Sequence, residues 1–554
     1  MADNTQVLNP AAVRNGEGDV IRTIDESGVK TQVVALAATR NDGSLKQIAS
    51  TSEGHIEVAI HSPRLPFGSV HSESLEVVSQ ADAVYGINTA LVTSTTGLSV
   101  GTGANSGACT GTGNLFKAAT GTTQYSFATI QGKARVRYRP GQGLVGRFAG
   151  FFSTPAASSI LVAGYGTSES GYYFGYNGTS FGILHSTGGV REIQTLTVTT
   201  ASTATNDYVV TLPNTATATV TATNNSSTIK TAYEISKGTY PGWKAEQIGS
   251  TVVFLADSAG AKTGVFTLAQ TGAGVPAAGT CVETVAGVAS TDTWIPQADW
   301  NGDKLNGTGA SGYTIDPSKG NVYQIGIQYL GFGTVSCQVE VTYDNGNNAE
   351  FVTAHTFLFP NNRTTTHISQ PSFPFTMAAY SGGSTTDVSV SVGSFAGLIE
   401  GKKQLTGPRN TYFGSVSSST SAYTPIFTVR NSFEYVSRAN QAVINILSVA
   451  GACKSTNGIT SFYLIRNATL SAGTPNFAAH ATTSCSDVDS AATACTFSTN
   501  DQVIWTSTVS ESGDFIFSFP DSITIQPGDT VTLAVRSVTA TSVCVGSINT
   551  REDQ

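Results

Sequence analysis

NVYQIGIQYLGFGTVSCQVEVTYDNGNNAEFVTAHTFLF, residues 321–359, holds three alternating runs separated by two turns. In the first, Tyr323, Ile325, Ile327 and Tyr329 alternate with Gln324, Gly326 and Gln328. After Gly331-Phe332-Gly333, the residues Val335, Cys337, Val339, Val341 and Tyr343 share one face, with Thr334, Ser336, Gln338, Glu340 and Thr342 on the other. After Asp344-Asn345-Gly346-Asn347, Phe351, Thr353, His355, Phe357 and Phe359 share a face. A period of two is the side-chain geometry of a half-buried strand, and Gly- and Asn-rich turns let consecutive strands reverse. The stretch predicts a three-strand antiparallel meander, the spine of a β-sandwich. Three strands cannot cover their own apolar face, so partners must come from elsewhere in the chain.

The partners are expected upstream. In KARVRYRPGQGLVGRFAGFFSTP (133–155), Ala134, Val136 and Tyr138 alternate with Lys133, Arg135, Arg137 and Arg139, and Pro140-Gly141-Gln142-Gly143 makes the turn. ILVAGYG, GYYFGYNG, SFGILHS and VREIQTLTV follow as strands. From about residue 195 to 291 the texture changes to TVTTAS, YVVTLPN and ATATVTAT and then to a helical pattern. Ser227 is placed to cap that helix, with Ile229, Ala232, Tyr233 and Ser236 on one face and Gly238 ending it. This reads as a small α+β domain inserted in a sandwich loop, because the chain returns afterwards directly to the spine.

The expected architecture is mainly β: serial, jelly-roll-like β-sandwiches with one α+β insertion. Residues 1–65 form an N-terminal attachment β-module, and 66–124 a linker and extended Gly/Thr-rich segment. Pro63 and Pro66 mark the break, since proline gives the ladder no donor. Residues 125–194 plus 292–400 make the main sandwich, 195–291 the insert, and 412–554 a C-terminal sandwich in which Pro527-Gly528-Asp529 divides two alternating runs.

Composition narrows the function classes. Charged residues are 12% of 554, about half the usual share, and the 58 glycines with Ser, Thr and Ala carry the surface instead. A net charge of −8 argues against a general basic surface for nucleic acid. No apolar run reaches the ~18 residues of a membrane span, and MADNTQVLNPAAV lacks the regions of a secretory signal. The expectation is synthesis in a cytoplasm, without passage by the secretory route and without a membrane partner. Seven cysteines are odd in number and too few for a disulfide scaffold.

No constellation for catalysis stands out, and the chain is read as a non-enzyme without cofactors. HExxH, paired CxxC and phosphate-loop patterns are missing from the sequence. Asp299, Asn301 and Asp303 have the spacing of the first ligands of a calcium loop, but Lys304 and Ala310 stand where such a loop needs Gly and Glu. The cluster reads as a weak calcium site or as Asx turns. His55, His61 and His71 lack ligand spacing, and His355 shares its face with Phe351 and Phe357. The Lys133, Arg135, Arg137, Arg139 ladder reads as a patch for an anionic glycan or partner subunit, or else as a solvated face or one paired with acidic residues across a subunit interface. Trp243, Trp294, Trp300 and the Tyr172-Tyr173-Phe174 cluster offer aromatic faces that stack on sugars, or core packing.

RLPFGSVHSESLEVVSQADAVYGINT, YRPGQGLVGRFAGFF, GYNGTSFGILHSTGGVREIQTL and GNVYQIGIQYLGFG resemble structural proteins of tailed-bacteriophage virions, of the tail-fibre, collar or decoration kind. TATVTATNNSSTIKTAYEIS is similar to small domains of phage tail components. The resemblance covers roughly residues 20–400. It implies a homotrimer or ring docked by its N-terminus in the tail, neck or capsid of a virion assembled in the host cytoplasm, with cell-surface glycan as a further partner. Flat, neutral strand faces with open edges agree with closed symmetry, which buries such surfaces without open-ended growth. A glycan-degrading tailspike is the alternative from another class, although the repeating turns of a long β-helix are not visible.

Overall fold

The computed structural model describes residues 75–99, 104–201, 203, 207–213, 217–221, 227–271, 276–343, 348–403, 407–454 and 458–554, together with five short strands near the N-terminus. The chain divides into two compact units, Met1–His71 and Ser72–Gln554. In the first, Ala2–Val7, Asp19–Glu26 and Val29–Gln32 form a three-stranded antiparallel sheet, and Ala37–Thr39 pairs with Leu45–Gln47. His55, His61, His71 and the proline-marked linker lie outside the described residues.

The meander is the flank of an eight-stranded sheet in the second unit. Asn321–Ile327 pairs with Val335–Tyr343, which pairs with Asn348–Phe357 at the sheet edge. Tyr323, Ile325, Ile327, Val335, Cys337, Val339 and Val341 are all buried in one core, as their alternation requires. The third run departs from strict alternation. Cys337 lies opposite His355 but Gln338 lies opposite Thr353, so Ala354 is an extra residue. One inserted residue reverses a period of two. Beyond it His355, Phe357 and Phe359 point inward. Before it Phe351 and Thr353 turn outward, where Arg147 stacks over the Phe351 ring at 5.0 Å and Gln338 donates to Thr353 at 3.1 Å.

On the other side Asn321–Ile327 pairs with Leu144–Phe152, then Ser389–Glu400. The facing seven-stranded sheet runs Thr291–Pro296, Ser180–Thr187, Gly171–Asn177, Ile160–Gly166, Ser372–Tyr380, Ser126–Arg137, Val92–Leu98. Aromatic rings from both sheets interlock between the layers: Phe148 meets Phe375 at 5.6 Å, Tyr323 meets Phe174 at 4.8 Å, and Phe375 stacks on Phe395 at 4.3 Å. Such close contact needs a flat partner in places. A Cβ on Gly146 would lie 2.3 Å from the Tyr165 ring, whose hydroxyl is held by the Arg147 carbonyl at 3.1 Å. Gly146→Val is therefore expected to cost at least about 1–3 kcal/mol by overpacking, seen as a lower denaturation midpoint; an unchanged midpoint would show that the ring yields freely.

Where it is described, at 75–99 and 104–124, the segment 66–124 is not the extended linker expected from its composition. Leu75–Asp82, Val92–Leu98, Ala108–Thr112 and Leu115–Ala119 are strands of the two sheets, and Phe116 and Ala118 are in their core. Threonine has the branched shape of valine and fits a strand without an apolar signal. Glycine permits close backbone approach: a Cβ on Gly107 would lie 2.2 Å from the Phe127 carbonyl.

The inserted domain leaves and re-enters at one point. Ser180–Thr187 pairs with Thr291–Pro296, Thr187 opposite Thr291, so everything between is the connection of a hairpin. It contains a four-stranded sheet (Trp243–Ile248, Thr251–Ala259, Arg191–Thr200, Ala278–Val285), a three-stranded sheet and the helix Thr228–Ser236. The Ser227 side chain caps the helix by accepting from Lys230 N at 3.1 Å. Ala232 and Ile235 pack in the insert's own core, whereas Tyr233 joins a cluster with Leu470 and Phe477 of the last domain. The helix is thus covered on two sides, and its buried set is Thr231, Ala232, Tyr233 and Ile235 rather than one stripe through Ile229 and Ser236.

Around an apolar cluster, with a second cluster that holds Ile465, Leu470, Phe477, Cys495 and Ala534, the C-terminal sandwich has a four-stranded and a six-stranded sheet. At Pro527-Gly528-Asp529 the chain crosses between them, from Asp514–Ile525 to Thr530–Ser537, with Gly528 at φ +89°. The architecture is therefore mainly β, two serial sandwiches with one α+β insertion. Among the described residues no helix is long and apolar enough to cross a membrane.

Candidate functional site

The basic ladder lies on the strand Ser126–Arg137 and the turn after it. Because Val136 and Tyr138 are committed to the core, the alternating cations point to the opposite face. That face is met by the C-terminal domain. Arg139 Nη2 donates to Asp553 at 2.5 Å, and Arg137 Nε is 3.9 Å from the same carboxylate. Gln142 Nε2 donates to the carbonyls of Glu400 and Lys402 at 3.0 and 2.9 Å. Arg135 has its Nε and Nη1 buried, and Lys133 is half-buried. Acid pairing does occur, but inside the chain, and Arg135, Arg137 and Arg139 do not form an open glycan patch.

The aromatic candidates are also internal. Trp243 packs edge-on against Phe266 at 5.1 Å in the insert core. Tyr173 is buried with Val162 and Ala378, its hydroxyl donating to the Thr167 carbonyl at 3.0 Å. Tyr172 is fully buried and stacks on His185 with centroids 4.8 Å apart. Consecutive Tyr172 and Tyr173 are both covered because the strand Gly171–Asn177 is buried on both faces. Trp300 is buried with Nε1 donating to the Ile295 carbonyl at 3.3 Å, and Trp294 is half-buried. Trp243, Tyr172, Tyr173 and Trp300 present no free ring to a sugar.

Tyr172 belongs to a histidine–aromatic cluster that sequence spacing did not reveal. Its hydroxyl is 2.6 Å from His367 Nδ1, His185 Nε2 is 3.3 Å from the His367 carbonyl, and Phe359 stacks on His367 at 4.3 Å. Burial pushes His185 down to about 4 and His367 down to about 3. A cavity of about 370 Å³ adjoins the cluster, lined by Asn301, His355, Phe357, Leu358, Phe359 and Arg363 among others. Its histidine, His355, accepts from the Asn301 backbone N–H at 3.3 Å and is likewise lowered by burial.

Asp299, Asn301 and Asp303 are not gathered around one point. Asp303 accepts from Leu305 N at 2.8 Å and Ser311 N at 2.6 Å, Asn301 pairs both ways with the Thr356 backbone at 2.8 Å, and Asp299 is exposed. They organise turns. Among the described residues no group of three or more His, Cys, Asp or Glu side chains suits a metal ion. All seven cysteines are free thiols.

The densest polar site joins the insert to the C-terminal domain. Arg430 donates to Asp487 through Nε at 3.2 Å and Nη2 at 2.7 Å, and to the Gln247 carbonyl at 2.7 Å. Glu246 lies 3.6 Å from Arg430 and accepts from Ser432 Oγ at 2.6 Å and Phe433 N at 2.8 Å. Gly249 N and the Phe477 carbonyl close the seam at 3.0 Å, with Arg430 over the Phe477 ring at 4.2 Å. Burial raises the Glu246 carboxyl, opposed by Arg430. The available signal was scarcity: isolated charges in strands such as WKAEQI and TPIFTVRN stand out in a chain so poor in charge.

No protein-family model matches the chain, and no curated protein matches it. Among solved structures, the Faustovirus major capsid protein aligns over 87% of this chain and 91% of that one, at 8% sequence identity and a TM-score of 0.10. A likeness that slight carries no argument about fold or role.

Proposed function

We propose that this chain is a non-enzymatic structural protein of a tailed-phage virion, a tail- or neck-attached fibre or collar appendage that docks by its N-terminal module. The observation that carries the reading is the division at His71/Ser72 between a small β-unit and one large β-unit. In that large unit the scarce charges are used to join domains, as at Arg139–Asp553 and Arg430–Asp487. The resemblance of the stretches around residues 64–89, 138–152, 175–196 and 320–333 to phage virion proteins supports the same role. The appendage is a homotrimer and contributes to host-surface recognition.

The test removes residues 1–71 and asks whether the remainder folds and joins the particle. A folded truncated chain that is missing from purified virions is the expected result; normal incorporation would defeat docking through the first unit. Electron microscopy of labelled particles separates the appendage, in few copies at tail or neck, from a decoration protein spread over the shell. Light scattering of the purified chain at micromolar concentration should report a trimer, and a stable monomer would leave association to the virion.

A further inference from the structure

The last domain leaves one face of a sheet uncovered. Its four-stranded sheet runs Arg409–Ser417, Val543–Asp553, Val443–Lys454, Asp514–Ile525. Tyr412, Ile548, Cys544 and Val449 point from it into the sandwich core, so the residues alternating with them point away from that core. The register sets those residues in rows across the strands. Phe413 lies opposite Ser547, Ser547 opposite Ala450, and Ala450 opposite Ile516. In the next row Ser415 meets Val545 and Val545 meets Ala452, and beyond it Val543 meets Lys454. Phe413 is 82% exposed, Ile516 79%, Val543 58% and Val545 47%. Exposed apolar side chains are ordinary when scattered, but a contiguous group on one flat face marks a contact surface.

The relief, bonding and charge of this face fit a second copy of itself. Phe413 and Ile516 stand as ridges on the two edge strands, and Ser547 and Ala450 leave a trough between them. A ridge of one copy can therefore enter the trough of another. Polar groups on the face already bond to one another: Thr411 Oγ1 donates to Asn549 Oδ1 at 2.7 Å, and Asn549 Nδ2 donates to Ser448 Oγ at 2.9 Å. Covering them strands few polar atoms, which keeps the cost of desolvation low. At one rim Lys454 and Asp514, both exposed, sit on adjoining strands with opposite charge, so two copies can pair them crosswise. Four strands about 4.8 Å apart and about seven residues long offer on the order of 450 Å², so two such faces cover nearly the ~1,000 Å² of a stable contact.

We propose that this face is where copies of the chain meet, turned toward its equivalents across the symmetry axis. The inference rests on the homotrimer proposed above and names the surface that makes it.

The experiment compares the full chain with its Phe413→Lys, Ile516→Lys double variant by sedimentation equilibrium at micromolar concentration. Lysine suits exposed positions on edge strands, and near-ultraviolet circular dichroism checks that the variant folds. The expected result is a trimeric parent and a variant whose association falls at least about a hundredfold. Val538→Lys, at an exposed position just beyond the strand Thr530–Ser537 of the other sheet, should associate as the parent does. Lys454→Asp should weaken association, and Lys454→Asp combined with Asp514→Lys should restore it. A trimeric parent with an equally trimeric lysine variant overturns the face and leaves the trimer standing, whereas a monomeric parent overturns both. A monomeric parent whose lysine variant is lost from purified virions gives the face to another virion protein and overturns the self-contact. Should the lysine variant fail to fold, the charge exchange decides: association lost in Lys454→Asp and regained in the exchanged pair supports the face, and the absence of either change refutes it.

Discussion

Replacing Arg430 by alanine is expected to lower the stability of the insert and C-terminal domain by about 3–5 kcal/mol. The arginine is the shared partner of Glu246 and Asp487, and all three side chains are buried. Removing it leaves two carboxylates facing each other in low dielectric, deprives Asp487 of two charge-assisted hydrogen bonds and empties the space over Phe477. The loss is therefore dominated by what remains unpaired rather than by the energy of the pair itself. A control separates the two. In Arg430→Met combined with Glu246→Gln and Asp487→Asn, no buried charge is stranded, and most of the stability should return. Denaturant midpoints, with hydrogen exchange in Trp243–Ile248 and Thr424–Asn431, measure both; an alanine variant within about 1 kcal/mol of the parent would mean that water already reaches this seam.

Mild acid should weaken the main sandwich through His185 and His367. Both are neutral in the fold, with values near 4 and 3 set first by burial, while an unfolded imidazole titrates near 6.5. Above about pH 6.5 neither state binds the proton and the full stability is present. Below it the unfolded chain takes up protons that the fold refuses, so stability falls by about 1.4 kcal/mol per pH unit for each histidine. The fall levels off only as the folded groups themselves titrate. Near pH 4.5 the combined loss is on the order of 5 kcal/mol. Arg363 opposes protonation of both rings and His185 opposes it at His367, while Asp292 and the His367 carbonyl favour it at His185 and the backbone of Tyr329, as acceptor, favours it at His367. His185→Phe keeps the ring stacked on Tyr172 but cannot bind the proton. Its stability should fall less steeply between pH 6.5 and 4.5, by about one proton's slope; parallel curves for parent and variant would exclude His185 as the source.

Much of the fold was legible because alternation is local. Tyr323 to Val341 go to the core by period two alone, Ser227 and Gly238 mark the helix ends, and Pro527-Gly528-Asp529 marks a reversal. The phase reversal at Ala354 was not legible, because a bulge depends on the partner strand as much as on its own residues. The strands between Leu75 and Ala119 were hidden in threonine and glycine, whose place in a sheet is decided by neighbours such as Phe127.

The ladder at Lys133–Arg139 shows where sequence stops. Alternation alone puts the four cations on the face opposite Val136 and Tyr138, and that much is a property of the strand. What they meet is set by contacts far along the chain, as Asp553 is for Arg137 and Arg139. The same holds for Tyr172 and Trp243, whose types suit either a sugar or a core, and which become core only because a second layer covers them. Sequence by itself determined the β class, the runs that form the spine and the inserted α+β unit, since each rests on side chains within a few residues. Tertiary structure alone decided which charges are paired and which rings are buried, because burial and electrostatic partnership are properties of surfaces that meet only after folding.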